Sequence, residues 1–202
     1  MIRFFRRHRL TCVLLLILIY LIGGAVAPFF SYQKIKEDTV KQTASRTFRM
    51  NGAGPERAAL LETNMSAWEE RMRLLSQAKE RIILSTFDMR EGESTRDILA
   101  VLLAKAEEGV KVRILVDGVS GAGRMEGREL FYALSSHPNV EIRIYNPINP
   151  LTPWKLMGRM HDKYVIADDL AYLLGGRNTF DYFLGDNPTE GKSLDREVLV
   201  YN

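Results

Sequence analysis

Cysteine is almost absent: the 202 residues hold one, Cys12. A single thiol closes no intramolecular disulfide in any compartment, so the fold must rest on packing alone. Histidine is scarce too, with only His8, His137 and His161. No His/Cys/carboxylate spacing matches a zinc site, so neither a metal nor another cofactor is expected. A basic excess is also missing. The formal charge is +3, but four of the 28 basic residues (Arg3, Arg6, Arg7 and Arg9) crowd the first nine positions. The other 24 face 25 acidic residues, a net of −1, which argues against a nucleic-acid partner. There is no internal repeat and no low-complexity segment.

What is present begins with those arginines. They precede an uncharged run from Leu10 to Phe30, long enough to cross a ~30 Å hydrocarbon core as a helix. Ala25-Val26-Ala27 offers the small-x-small pattern of signal-peptide cleavage, yet Pro28 would directly follow the cut and the apolar run continues through Phe30. Residues 1–30 are therefore expected to be an uncleaved, single-pass anchor in the cell membrane. The arginines should stay cytoplasmic and the remainder should lie outside. Cys12 sits at the start of the run, the wrong end for a lipid-modified cysteine, and reads as a membrane-buried thiol. Residues 31–55 are polar, end in Gly and Pro, and read as a stalk with room for one short helix.

Residues 56–202 carry regular periods. "AALLET" reads as a short strand, and Ser66 with Glu69 as a capping box for a helix running to about Lys79. "RIILSTF" reads as a buried strand. Ser94 and Asp97 repeat the cap pattern before a buried helix that Gly109 closes. "VKVRILVDG" and "VEIRIYN" alternate as strands, with a helix from about Arg128 to Leu134 between them. This succession predicts an α/β domain whose helices are layered on a parallel or mixed sheet. The Pro-rich "NPINPLTPW" separates it from the most informative stretch, "GRMHDKYVIADDLAYLLGGRN", residues 158–178.

In that stretch "RMHDKYVIA" alternates as a strand, which puts His161 and Lys163 on one side of the sheet. Asp168-Asp169 reads as a two-residue turn, with Ala167 opposite Leu170 and Gly176 opposite His161. Asn178 would lie within reach of the histidine. Gly175 and Gly176 would let another group, or a copy of the same segment, approach closely. An imidazole can attack phosphorus, while lysine and asparagine can hold non-bridging oxygens. The chemistry suggested is metal-independent phosphodiester cleavage through a phosphohistidine.

His161-x-Lys163-x4-Asp168-x6-Gly175-Gly176-x-Asn178 resembles, at every position, the HxKxxxxDxxxxxxGGxN signature of the phospholipase D superfamily. Six fixed residues co-occur by chance only about once in 10⁷ to 10⁸ starting points, so coincidence is set aside. "GVKVRILVDG", "VEIRIYNP" and "NTFDYFLGD" are similar to the bacterial cardiolipin synthase branch, and the resemblance covers roughly Ala58 to Asn202. It implies the phospholipase D-like fold. His161 would be nucleophile or general acid, Lys163 and Asn178 phosphate ligands, and Asp168 mainly a structural support. A downstream carboxylate would orient the histidine, with Asp195 the first candidate and Glu197 the second. Arg159 and Arg177 flank the motif as candidate ligands of lipid phosphate, and Trp154 could line the rim, insert at the membrane surface or simply pack.

The chain departs from the family by carrying one motif where active sites need two. It stops at Tyr201-Asn202, apparently within a strand. The expectation is therefore the N-terminal half of a longer two-motif enzyme acting on a glycerophospholipid, by phosphatidyl transfer or hydrolysis. Two other readings stay open: a homodimeric single-motif endonuclease, and a non-catalytic half-domain that binds phosphate or lipid.

Overall fold

The computed structural model describes residues 8–30, 35–44, 54–186 and 193–201. The chain forms two compact units, Met1–Gly54 with Ile148–Gly158, and Pro55–Pro147 with Arg159–Asn202.

In the first unit, helix α1 (Arg9–Val26) buries none of its residues and runs on as a 3-10 turn, Ala27–Phe29. Pro28 fits that turn because the first positions of a helical turn need no N–H donor. The segment Arg9–Phe29 is long and apolar enough to cross a membrane, with a mean hydropathy of 2.7. A short helix, α2 (Glu37–Ala44), lies in the polar stretch after it. Arg3, Arg6 and Arg7 of the leader, and residues 31–34 and 45–53 of the stalk, fall outside the described residues. Residues 148–158 hold a second 3-10 turn, Pro153–Lys155.

The second unit is a mixed sheet with helices packed on it. Its elements are β1 (Arg57–Leu61), α3 (Asn64–Gln77), β2 (Arg81–Thr86), α4 (Glu93–Glu107), β3 (Lys111–Asp117), α5 (Ala122–Met125), α6 (Glu129–Ser135), β4 (Val140–Tyr145), β5 (Tyr164–Ala167), β6 (Ala171–Gly175) and β7 (Glu197–Tyr201). Among the described residues the sheet has seven strands in the order β1-β7-β6-β5-β2-β3-β4. Strands β2, β3 and β4 are parallel, and β5, β6, β7 and β1 follow antiparallel. Alternation explains the core: Ile82, Leu84, Val112, Ile114, Val116, Val165, Ala167 and Leu173 form one cluster with Leu74 and Leu75 of α3, Ile98, Leu99 and Leu102 of α4, and Leu134 of α6. Each fully buried Val, Leu or Ile of the cluster contributes about 1.5–3 kcal/mol. On β4 the expected alternation fades, because it is the sheet's edge and Ile144 is 46% exposed.

Several local expectations need correction. The cap of α3 is Thr63, not Ser66: Thr63 Oγ1 accepts the Ser66 amide and Ser66 Oγ accepts the Thr63 amide, a capping box three residues earlier than the one expected. Helix α4 is capped from outside. Asp181, far along the chain, accepts the amides of Glu93 and Ser94 and the Ser94 hydroxyl, the last at 2.6 Å. A carboxylate there satisfies orphan donors and meets the positive end of the helix. Gly109 does close α4 as expected, at φ +97, with the Val110 amide reaching back to the Lys105 carbonyl.

The strands of the motif's hairpin are shorter, and its turn longer, than the pattern suggested. Ladder pairing begins at Tyr164, so residues 158–163 are irregular. Ala167 pairs with Ala171, which makes the turn three residues long (168–170) and shifts the register by one from that expected. Asp168 accommodates the turn with φ 52, in the left-handed region that Asp tolerates better than most residues.

Candidate active site

The pairing registers bring the C-terminal ends of β1, β2, β3 and β6 and the starts of β5 and β7 to one end of the sheet. In open α/β sheets this is the end where ligands bind. Residues 161–163 enter β5 there, and residues 176–178 leave β6 there.

His161 is exposed and Lys163 is buried. Lys163 Nζ lies 3.0 Å from His161 Nδ1 and donates to the His161 carbonyl at 2.9 Å. Burial holds the ammonium of Lys163 below its usual pKa, against the opposing pull of Asp195 and Asp162. An ammonium can only donate, so Nδ1 acts as acceptor and the proton of a neutral ring sits on Nε2. The Phe87 ring packs on the imidazole with centroids 4.5 Å apart, and Lys163 Nζ lies 5.4 Å from the same ring centre. Asn178 is fixed from the neighbouring residue: its Oδ1 accepts the Asp88 amide at 3.1 Å, which leaves the Nδ2 end as the donor. The dipeptide Phe87-Asp88, just beyond β2, thus contacts all three polar residues of the patch.

The other expected site residues are placed elsewhere. Asp168 sits at the far end of β5, where its carboxylate accepts the amides of Lys79, Glu80 and Arg81 at 2.7–2.9 Å. Burial opposes its ionisation, but those three donors and the Arg81 charge prevail and hold its pKa below the ordinary value. Asp195 has a carboxylate that accepts the Arg196 amide at 2.7 Å and lies against Gly176. Among the described residues no carboxylate is hydrogen-bonded to His161, so the expected orienting contact from Asp195 is not made in this arrangement. Glu197 is fully buried and bound by both guanidinium nitrogens of Arg71 at 2.5 Å, with Arg177 4.0 Å away. It belongs to the interior.

Arg177 was expected to bind lipid phosphate, and the structure corrects this. It is 1% exposed, and its donors go to Asn64 Oδ1 and to the carbonyls of Leu61 and Glu62. Burial and nearby Arg71 lower its pKa, with Glu197 opposing. Arg159 turns toward buried Asp117, 3.5 Å from Nε, and its Nη2 donates to the Asn146 carbonyl. The glycines also have a different purpose from the one expected. A Cβ on Gly175 would sit 2.3 Å from Glu197 Cγ, and one on Gly176 2.1 Å from Asp195 Oδ2. Their empty side is filled by Glu197, the first residue of β7, and by Asp195 just before it. Trp154 belongs to the first unit.

The sequence has known relatives. Residues 72–182, more than half of the chain, match the family model described as cardiolipin synthase, PLD-like domain. The chain belongs to that phospholipase D family. Cardiolipin synthase C of Escherichia coli (strain K12) is 33% identical over 134 residues, which are 62% of this chain and 28% of the relative. Cardiolipin synthase B of Salmonella typhi is 30% identical over 135 residues, 66% of this chain and 32% of the relative. The chain thus spans about a third of the length of these curated relatives. In fold it is similar to NucT from Helicobacter pylori, with a TM-score of 0.55 at 17% identity, over 73% of this chain and 86% of that one.

In this phospholipase D-like domain the sequence reading missed Phe87 and Asp88. Asp88 is buried, and its Oδ2 accepts Arg90 Nε at 3.0 Å and Arg124 Nη1 at 2.7 Å, while Arg90 stacks on Phe180. The available signal was an acidic residue directly after a buried strand. Its partner Asn178 is 90 residues away, however, so no local pattern links them.

Proposed function

We propose that the patch of His161, Lys163 and Asn178 performs phosphodiester transfer on a glycerophospholipid, as half of a two-histidine site. The observation that supports this best is the Lys163 ammonium held 3.0 Å from an exposed imidazole beside an asparagine donor. Nε2 of one histidine attacks phosphorus, the bond to the leaving oxygen breaks, and a second histidine supplies that oxygen with a proton. An alcohol or water then displaces the histidine from phosphorus. Lys163 Nζ and Asn178 Nδ2 hold the non-bridging oxygens, where charge develops. As placed, with Nδ1 accepting from the Lys163 ammonium, His161 is set for neither role. Proton donation needs an imidazolium, protonated on both nitrogens, and attack needs a neutral ring with its proton on Nδ1, so both require an acceptor where the ammonium now sits. Asp195, which lies on the adjoining glycine and whose charge acts on Lys163, is our candidate for that change of partner.

A second histidine comes from a continuation of the chain or from a second copy. The lipid reading draws on the cardiolipin synthases among the relatives and on α1, which would anchor the chain beside its substrate with the arginines in the cytoplasm. The test compares wild type, His161→Ala and Lys163→Met with phosphatidylglycerol and with a short DNA, across a dilution series followed by light scattering. Loss of general-acid help alone is worth about 10² to 10⁴ in rate. The isolated monomer should therefore be slow, with its residual lipid turnover abolished in His161→Ala. Full turnover by a strict monomer, or an active His161→Ala protein, refutes the reading. A preference for DNA by a dimer selects the endonuclease instead.

A further inference from the structure

The loop 148–158 has no place in the proposed chemistry, yet its make-up is unusual for an exposed segment. It belongs to the same unit as α1, which it meets within that helix's last two turns. The Tyr20 hydroxyl donates to the Leu151 carbonyl at 2.8 Å. Gly24 admits Pro153, whose ring carbon lies 2.4 Å from where a Cβ would stand. Ile148, Leu151, Trp154, Leu156 and Met157 all remain exposed, Leu151 at 75% and Trp154 at 46%. Lys155 is the only charged residue in the segment. Five apolar side chains presented together would be a liability in water but are ordinary at a lipid surface.

The backbone points the same way. Inside or near hydrocarbon, N–H groups must be satisfied within the protein. Pro150 and Pro153 have none. The amides of Leu151 and Thr152 bond to Asn149, and those of Lys155, Leu156 and Gly158 to Thr152, Pro153 and Lys155. The loop has thus closed most of its polar backbone on itself while leaving its apolar side chains outward. Tyr and Trp, each with an apolar body and a polar tip, are the residues favoured at membrane boundaries.

We propose that loop 148–158 and the C-terminal end of α1 form one membrane-interface element, with Ile148, Leu151, Trp154, Leu156 and Met157 seated at the headgroup–acyl boundary of a bilayer. This rests on α1 lying in the membrane and is independent of the reaction. Only Arg159 and Met160 separate the loop from His161 along the chain.

The test uses the full chain reconstituted into phosphatidylcholine vesicles containing lipids brominated near the headgroup. Trp68→Phe leaves Trp154 as the sole tryptophan, and Trp154→Phe leaves Trp68 as the control. The Trp154 protein should emit at short wavelength and lose most of its emission to the bromines, while aqueous iodide has little effect. Trp68 emission should be insensitive to the bromines. Adding Leu151→Asp and Met157→Asp to the Trp68→Phe chain should abolish the quenching without changing the circular dichroism. Strong iodide quenching of Trp154 with none from brominated lipid overturns the proposal. So does a crosslink at position 154 between two copies in the vesicles, and so does a chain that fails to float with them.

Discussion

Two adjacent glycines offer a test in which the same substitution should give very different results. At Gly175 a new Cβ would meet Glu197 Cγ at 2.3 Å and the Arg196 carbonyl oxygen at 2.8 Å. Neither can yield easily. The oxygen is backbone, and the Glu197 side chain is held by a bidentate pair with Arg71 in the interior. At Gly176 the three nearest atoms all belong to the carboxylate of Asp195, which is half-buried and held by one hydrogen bond from the Arg196 amide. It can swing away for the loss of about 0.5–1.5 kcal/mol. Gly175→Ala must either overpack, at about 1–3 kcal/mol, or disturb a buried ion pair whose breakage costs about 3–5 kcal/mol. A loss of about 3 kcal/mol at roughly 2–4 °C per kcal/mol puts the melting temperature about 6–12 °C lower. Gly176→Ala should fall by roughly 1–6 °C on the same scale. Thermal unfolding of the full chain in detergent, followed by circular dichroism, measures both. Equal losses, or a larger one at Gly176, would refute the idea that the side chains of Glu197 and Asp195 dictate these glycines.

Two further outcomes follow from charged side chains held by donors. Glu197→Gln leaves the buried Arg71 and Arg177 guanidinium groups without their carboxylate and should cost about 3–5 kcal/mol, read as a lower urea midpoint; an unchanged midpoint would show that the trio contributes nothing. Asp168 has a folded-state pKa below its ordinary value of 3.8, so its contribution is full above that value and is lost as pH falls through the lower folded one. The stability gap between wild type and Asp168→Asn should therefore be constant near neutral pH and shrink below about pH 4; a gap that widens on acidification contradicts the assignment.

What was legible in the sequence was the part governed by short periods. The apolar run of β2, the alternation in β3, the glycine after α4 and the proximity of His161 to Lys163 are all local. That last expectation survived a wrong premise: residues 158–163 are irregular, yet a two-residue separation still brings the side chains together. The turn was misjudged because one residue in the left-handed region, Asp168, lengthens it to three. Arg177 and the two glycines were misread for a deeper reason. An arginine beside a motif looks like a ligand until β7 and the end of β1 bury it, and a glycine pair looks like an opening until Asp195 and Glu197 fill it. Phe87 and Asp88 were invisible because their role depends on β5 lying antiparallel beside β2, a pairing no local pattern encodes.

The bond between the Asp88 amide and Asn178 spans 90 residues. Closing a loop of that length costs about 4 kcal/mol in chain entropy, several times what one neutral hydrogen bond returns. The contact therefore cannot form early and hold the chain. It can only be inherited once β2, β5 and β6 have already aligned. The donors of the patch are gathered by the last events of folding, and any intermediate that has assembled only β2, α4 and β3 lacks them altogether. A chain made from its N-terminus carries no organised polar patch until the hairpin and the residues after it have emerged.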